Sequence, residues 1–380
     1  GHIWKVWALA YLPPMIAGLV LAYRGKYLWG LLLTAVFSAL EINANLVQMT
    51  YYYLFIIFFL MIAWLVDAIR KKQMARFLKA TAVCAAGAAI GLCINLSNIY
   101  HTWEYSKESM RGKSELVKQN NENQTNSGLE RDYITQWSYG IGETWTLLIP
   151  NTKGGASVPL SMNETAMAKA DPNYTSIYQQ LGQYWGEQPG TSGPVYVGAF
   201  VMFLFILGLF IVKGPVKWAL LAATVLSIML SWGKNFMGLT DFFIDYMPMY
   251  AKFRTVASIL VIAEFTIPLL AMLALKKLLD EPEQMKPRMK YVGISFLLTG
   301  GIAMLFSLMP SMFFDSFISS SELRALQSLP AEHVGPLIAN LTEMRQAMFT
   351  SDCLRSFYII LVGTGILLAF FYGKLKKEYA

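Results

Sequence analysis

The segment VYVGAFVMFLFILGLFIV (195–212) carries no charge and decides the fold class. A helix needs roughly 17–25 mainly apolar residues to cross a bilayer, and this run meets that length. The rest of the chain has the same character, with 55% hydrophobic and 14% charged residues. A soluble domain has roughly 25% charged residues. We therefore predict an all-α, polytopic membrane protein.

Apolar runs of similar length recur along the sequence and predict about nine transmembrane helices. They are Ile3–Tyr23, Leu28–Gln48, Tyr51–Ile69, Phe77–Ile99, Val195–Val212, Val216–Trp232, Thr255–Leu275, Tyr291–Met309 and Phe357–Tyr372.

The basic residues predict the orientation of these helices. More than half of the 31 Lys and Arg residues fall in five alternate connections, namely 24–26, 70–79, 213–217, 276–290 and 374–377. Short loops rich in Lys and Arg stay in the cytoplasm. The net charge of +7 is therefore a topology signal, and we expect no nucleic-acid partner.

The opposite side would carry the large loops, which gives a predicted division of the chain. Residues 118–128 (KQNNENQTNSG) look disordered within the first loop. The divisions are 1–99 (helices 1–4), 100–194 (an extracytoplasmic loop domain), 195–309 (helices 5–8), 310–356 (an extracytoplasmic helical loop) and 357–380 (helix 9 and a cytoplasmic tail).

The stretch YWGEQPGTSGPVYVGAF (184–200) is where the largest loop re-enters the membrane. Its Gly and Pro residues predict a turn that is not helical, and its aromatic residues suit the membrane interface. Two interpretations stay open. The segment is a plain re-entry turn, or the turn holds the carboxylate of Glu187 rigidly at the membrane edge.

Other loop charges are candidates for chemistry. Glu143 lies in the first loop, and Asp241 precedes the bases Lys252 and Arg254, with Lys234 upstream. These bases either neutralise the nearby acids or clamp a phosphate, a role that suits the guanidinium fork of Arg. Asp241 and Asp245 would share one helical face, as a solvated edge or as part of a site.

Polar residues inside predicted helices also need an explanation, because charge within the bilayer is costly. Glu41, Asn45 and Gln48 would lie on one face of the second helix. They either join helices by hydrogen bonds, with Lys5 as the counter-charge of Glu41, or they contact a substrate.

Gly87 and Gly91 form a G-x-x-x-G pair that predicts close helix packing. The three His residues show no metal-ligand spacing, so we predict no metal site.

Four stretches resemble the YfhO-like family of bacterial membrane proteins, in a form typical of Bacteroidetes. They are WSYGIGETWTLLIPNTKGGAS (137–157), the 184–200 stretch, LSWGKN (230–235) and MYAKFRTVASILVIAEF (249–265). Such proteins are similar to GT-C glycosyltransferases, which move a sugar from a polyprenyl-phosphate carrier to an acceptor outside the cytoplasm.

The resemblance implies a GT-C-like fold, location in the bacterial cytoplasmic (inner) membrane, and a cell-envelope glycan or polymer as acceptor. The GT-C pattern places its acidic motif in a loop after the first helix. That loop is expected upstream of Gly1, in a longer chain of which this is a fragment. What carries over is the wall of the site, where Glu143, Glu187 and Arg254 are candidates. We expect a polyprenyl-phosphate sugar as donor. No cofactor is evident, and the chemistry is compatible with a divalent metal.

Two other functions stay open. A transporter or lipid flippase would use Glu41 and Glu264 along an ion or lipid path, but matching broken helices in two halves are not evident. An inert membrane scaffold is the third alternative. For the enzyme, we predict Glu187 and Glu143 as catalytic residues. The predicted substrate-binding residues are Arg254, Lys252, Lys234, Asp241, Glu41 and Lys5.

Overall fold

The structure is a computed structural model that describes residues 3–109, 123, 125, 128–314 and 316–374. Within these residues 76% of the chain is helical and there is no strand, which confirms the all-α class. Most of the 118–128 patch and the part of the predicted cytoplasmic tail beyond residue 374 lie outside the described residues.

The helices follow one another along the chain, and the longest connections lie between α5 and α9. The first nine are α1 (Ile3–Tyr23), α2 (Tyr27–Asn43), α3 (Val47–Arg70), α4 (Met74–Ile94), α5 (Leu96–Lys107), α6 (Arg131–Thr135), α7 (Glu164–Met167), α8 (Thr175–Tyr178) and α9 (Ala199–Ile211). The others are α10 (Val216–Ser231), α11 (Met237–Tyr246), α12 (Val261–Asp280), α13 (Pro282–Met285), α14 (Met289–Phe296), α15 (Ile302–Leu308), α16 (Pro310–Phe313), α17 (Ser320–Leu326) and α18 (Ala331–Phe371).

Six of the described helical segments are long and apolar enough to cross a membrane. They are Lys5–Tyr23, Val47–Arg70, Met74–Ile94, Val256–Asp280, Lys286–Leu308 and Glu332–Phe371. A seventh arises if α10 and the following 233–246 segment, bent by 110° at their junction, count as one span. Two further apolar helices, α2 and α9, are shorter. Every predicted apolar run thus overlaps a helix, although the Leu28–Gln48 run extends into α3 and the Phe77–Ile99 run extends into α5. The chain has the composition of a membrane-embedded protein.

The chain divides into two compact units. Unit 1 comprises Gly1–Thr135, Lys213–Leu230 and Phe236–Ala263, and unit 2 comprises Gln136–Val212, Ser231–Asn235 and Glu264–Ala380. Each unit is described by itself below.

In unit 1, glycines let helices approach closely. A Cβ at Gly91 would lie 2.8 Å from the backbone nitrogen of Ala39 on α2, and one at Gly87 would lie 3.0 Å from Thr34 Cβ. Both glycines of the predicted G-x-x-x-G pair therefore face α2, and close packing at this pair is confirmed. α4 ends at Ile94, before the predicted Ile99, where the Asn95 amide donates to the carbonyls of Ala39 and Gly91.

In unit 2, two predicted loops share a small apolar core. Leu160 and Tyr178 are fully buried against Leu337 and Leu341 of α18, with Leu326 of α17 alongside. The loop segment that follows residue 157 is thus folded onto α17 and α18. The cap of α17 is Ser319, whose side chain accepts from the Glu322 amide while Glu322 accepts from Ser319.

The last helix is much longer than the predicted ninth span. α18 has 41 residues, which gives about 60 Å at 1.5 Å per residue. The hydrocarbon core of a bilayer is about 30 Å thick. A single span needs about 20 residues, so α18 is about twice as long as one span. Its N-terminal half carries the buried charged residue Arg345.

Candidate functional site

The turn that follows Tyr139 buries a carboxylate. Residues Gly142–Leu147 form one 3₁₀ helix, and Glu143 in its first turn is 2% exposed. Glu143 Oε2 accepts from the amide of Gly140 at 2.6 Å and from that of Glu187 at 3.4 Å. Glu143 Oε1 accepts from the Tyr184 hydroxyl at 2.5 Å. The carboxyl group of Glu143 therefore ties its own turn to the segment that contains Glu187.

The 184–198 segment is non-helical, as predicted, and it folds over Glu143. The Tyr184 hydroxyl accepts from the Gln188 amide at 3.0 Å, so it closes the 184–188 turn while it donates to Glu143. Gly186 permits this contact, because a Cβ there would collide with Glu143 Oε1 and the Tyr184 hydroxyl. α9 begins only at Ala199, after Gly198 at φ 102°.

Burial sets the protonation of this cluster. Burial raises the pKa of Glu143, and the hydrogen bonds from Tyr184, Gly140 and Glu187 oppose that shift. Burial, together with the adjacent Glu143 carboxylate, raises the pKa of Tyr184 well above its ordinary value. Tyr184 therefore stays a neutral hydrogen-bond donor at physiological pH. We name this arrangement of Glu143, Tyr184 and the Gly140 and Glu187 amides the carboxylate clamp.

The space beside the clamp is small. The cavity lined by Glu143, Tyr184 and Lys153 holds about 10 Å³, roughly the volume that one water molecule needs. A sugar ring cannot reach Glu143 there. Glu143 is therefore better placed to hold the backbone of Glu187 than to contact a substrate directly.

Glu187, in contrast, is accessible. Its side chain is 48% exposed and its Oε2 lies 4.0 Å from Nζ of Lys234, which is 46% exposed. The backbone amide of Glu187 is held by the clamp. The exposed carboxylate of Glu187, whose backbone is fixed, can take a proton from a hydroxyl. The exposed ammonium group of Lys234 beside it can attract a phosphate.

The residues around Lys234 are fixed to the same turn region. The Lys234 amide donates to Ser138 Oγ at 2.8 Å, and the Asn235 side chain donates to the Tyr139 carbonyl at 3.0 Å. The Trp232 indole donates to Thr144 Oγ1 at 2.9 Å. The structure therefore brings Glu143, Glu187 and Lys234 together in unit 2, as three of the predicted site residues.

The other predicted site residues belong to unit 1. Arg254 Nη1 donates to the Tyr133 hydroxyl at 2.6 Å, and the Arg254 carbonyl accepts from Gln48 at 2.7 Å. Arg254 also lies near enough to Lys5 for like-charge repulsion. Lys252 ends a short 3₁₀ turn that begins at Tyr250.

Asp241 and Asp245 lie on one face of α11, as predicted, and Arg131 lies between them. Arg131 Nη1 pairs with Asp241, and its Nη2 lies 2.6 Å from Asp245 Oδ1. Arg131 therefore neutralises this pair of acids, a role for which the sequence had suggested Lys234, Lys252 or Arg254. Arg131 was missed because it follows a polar stretch without periodicity and lies 110 positions from Asp241.

The predicted polar face of the second helix was also wrong. α2 ends at Asn43, Asn45 adopts φ 52°, and Gln48 belongs to α3. Asn tolerates this left-handed conformation better than most residues, which allows the break. Glu41 and Gln48 therefore lie on different helices.

Glu41 is 1% exposed and its Oε1 accepts from Thr50 at 3.1 Å. Its Oε2 has no hydrogen-bond partner among the described residues. Within the same residues no ion pair joins Glu41 to Lys5, so the proposed counter-charge is wrong.

One strong buried ion pair was not anticipated. Arg345 is fully buried, and its guanidinium donates to both carboxylate oxygens of Glu322, at 2.7 and 2.8 Å, and to the carbonyls of Phe317 and Gly182. It also lies 5.2 Å from the centre of the Trp185 ring. This pair joins α17 and α18 to the residues that precede the clamp.

Over the described part of the chain, no group of three His, Cys, Asp or Glu residues could hold a metal ion. Comparisons with known proteins found no matching family model, no matching curated protein and no matching solved structure.

Proposed function

We propose that the chain is the membrane part of a GT-C-like glycosyltransferase that uses a polyprenyl-phosphate-linked sugar to modify an acceptor outside the cytoplasm. The observation that carries the proposal is the Glu187–Lys234 pair, an exposed carboxylate and an exposed cation 4.0 Å apart. The resemblance of four stretches to YfhO-like proteins adds the substrate class. The proposed setting is the bacterial cytoplasmic membrane, with the site on the extracytoplasmic side.

The proposed topology has nine spans. It counts the six long apolar helices, α10 with its bent continuation, and the shorter helices α2 and α9. Short helices can cross where the bilayer thins locally or where neighbours cover their ends.

The proposed reaction transfers the anomeric carbon from a phosphate oxygen to an acceptor oxygen. Glu187 accepts the proton of the acceptor hydroxyl as the new glycosidic bond forms. The bond between the anomeric carbon and the phosphate oxygen breaks, and the electron pair leaves with the polyprenyl phosphate. Lys234 stabilises the charge that develops on this phosphate. Glu143 and Tyr184 act as positioning residues, since they hold the backbone of Glu187.

Arg254, Lys252 and Lys5 remain proposed substrate-binding residues of unit 1, and Asp241 and Glu41 were predicted to share that role. Arg254 has the best chemistry for a phosphate among them, because its guanidinium fork can bind two oxygens. The Arg131 pairing of Asp241 and the burial of Glu41 favour structural roles for those two acids.

The test uses the chain in proteoliposomes with radiolabelled polyprenyl-phosphate glucose, galactose or N-acetylglucosamine and a panel of envelope glycans. We expect the wild-type chain to release polyprenyl phosphate and to label a glycan. We expect Lys234→Gln to slow this release at least about tenfold. Lys169→Gln, which changes an exposed lysine of the same unit, serves as the matched control. If the intact donor crosses the bilayer and no polyprenyl phosphate is released, the flippase is favoured. If none of the donors is either cleaved or moved, the scaffold is favoured.

A further inference from the structure

An apolar groove with a basic end lies in unit 1 and is independent of the Glu187 site. It has a volume of about 430 Å³ and is lined by residues of α3 and of the 214–222 segment. On α3 the lining residues are Phe59, Ile62, Ala63, Val66 and Arg70, which follow the helical pattern i, i+3, i+4, i+7 and i+11. They therefore form one stripe along a single helical face, with the charge at its C-terminal end.

The facing wall ends in the same way. Lys217 and Trp218 line the groove at the start of α10, and Ala222 lines it one turn further into the helix. Trp218 is 58% exposed, and Lys217 Nζ lies 5.0 Å from the centre of its ring. Trp beside Lys or Arg is the composition of a membrane–water interface. Both basic residues and the Trp lie at the helix ends, while the apolar residues lie toward the helix middles.

The groove has an excess of positive charge. Among the residues that the structure describes, the lining includes Arg70 and Lys217 and no Asp or Glu. The nearest acid in sequence on α3 is Asp67, and its Oδ2 is engaged by Lys71 at 2.7 Å. The basic end is therefore complementary to an anion, and the rest of the groove is complementary to a hydrocarbon chain.

The length of the groove identifies the kind of chain. Phe59 and Arg70 are eleven positions apart, which is about 16 Å along a helix. One leaflet contributes about 15 Å of hydrocarbon. An acyl chain of an ordinary bilayer phospholipid matches this length, whereas a polyprenyl chain is far longer than the groove.

We infer that this groove binds one anionic phospholipid of the bilayer, with the phosphate at Arg70 and Lys217 and an acyl chain along Phe59, Ile62 and Val66. Basic pockets between membrane helices bind anionic head groups in this manner. The lipid fills the gap between α3 and α10 and fixes their depth in the membrane.

The test titrates the detergent-purified chain with phosphatidylglycerol, and separately with phosphatidylcholine of the same acyl chains, under native mass spectrometry. One phosphatidylglycerol binds, and phosphatidylcholine binds at least tenfold more weakly. The double variant Arg70→Gln/Lys217→Gln weakens phosphatidylglycerol binding by about ten- to thirtyfold. The control Lys72→Gln/Lys213→Gln removes the same charge from exposed residues outside the groove and keeps the affinity.

A second pair of variants tests the apolar part. Ala222→Phe fills the groove and abolishes binding, while Val225→Phe, at an exposed position of α10 outside the groove, does not. Inorganic phosphate does not displace the lipid. Equal binding of both lipids, full binding to the double variant or to Ala222→Phe, or displacement by polyprenyl phosphate or by inorganic phosphate would overturn the inference.

Discussion

The hydroxyl of Tyr184 donates a 2.5 Å hydrogen bond to the buried carboxyl group of Glu143, 41 positions earlier in the chain. This contact joins the non-helical 184–198 segment to the 3₁₀ turn at 142–147. Through the same carboxyl group the Glu187 amide is held in place. The stiffness of the segment around Glu187 thus comes from a tertiary contact as well as from its Gly and Pro residues.

Removal of the Tyr184 hydroxyl should loosen this segment. Tyr184→Phe leaves Glu143 Oε1 and the Gln188 amide without their partner, and a hydrogen bond to a charged group is worth about 1.5–3 kcal/mol. We expect the free energy of unfolding in detergent to fall by about that amount. Tyr358→Phe, at a 56% exposed tyrosine of the same unit, is the control and should change it little. Equal stability of Tyr184→Phe and wild type would contradict the clamp.

Gly186 should not tolerate a methyl group. A Cβ at this position collides with Glu143 Oε1 and the Tyr184 hydroxyl, whereas a Cβ at Gly193 meets nothing within 4 Å. We therefore expect Gly186→Ala to lower the midpoint of thermal unfolding by several degrees, about the effect of 1–2 kcal/mol. Gly193→Ala should leave it unchanged. If the two variants melt together, the local geometry described here is wrong.

The buried pair of Arg345 and Glu322 should be costly to break. Arg345→Met leaves the Glu322 carboxylate, which is only 13% exposed, without a counter-charge. Breaking such a pair costs about 3–5 kcal/mol. Arg345→Met/Glu322→Gln should recover part of the loss, because no buried charge remains unpaired. Arg324→Met, at an exposed position of α17, is the control, and the free energy of unfolding is the readout.

The raised pKa of Glu143 predicts the sign of a pH effect. Because the folded-state pKa lies above the ordinary value of 4.5, the folded protein binds more protons between these two values. The contribution of Glu143 to stability is therefore complete below pH 4.5 and is lost as the pH rises through the folded-state pKa. The difference in unfolding free energy between wild type and Glu143→Gln should decline over that window. A difference that grows with pH would mean that the hydrogen bonds to Glu143 outweigh its burial.

The sequence was sufficient to predict most of the long apolar helices, without their exact ends, and insufficient to predict the contacts of the site. An apolar run of membrane length and a G-x-x-x-G pair are local patterns, and the helices and the packing at Gly87 and Gly91 follow them. A partner at long range leaves no such pattern. Tyr184 could equally have been an interfacial aromatic residue, and nothing near Arg131 indicates Asp241.

The error at Asn45 has a simple physical origin. Helical periodicity assumes that the backbone stays helical. A single residue at φ 52° ends the helix, and the side chains after it point in directions set by the next helix. Neither hydropathy nor charge reports this change, because Glu41, Asn45 and Gln48 are polar in either arrangement. The predicted ninth span began at Phe357 and missed the first 26 residues of α18 (331–356). The reason is related, because this N-terminal part of the helix is amphipathic and not uniformly apolar.

The central claim is that Glu187 is the general base of a sugar transfer. Its most direct test is the rate at which polyprenyl phosphate is released. The release of polyprenyl phosphate is measured in proteoliposomes at saturating donor for wild type, Glu187→Gln and Glu332→Gln, an 80% exposed glutamate of the same unit. A general base contributes about a hundredfold or more. We predict that Glu187→Gln loses at least that factor while Glu332→Gln keeps the wild-type rate. A Glu187→Gln protein that transfers sugar at the wild-type rate would contradict the account.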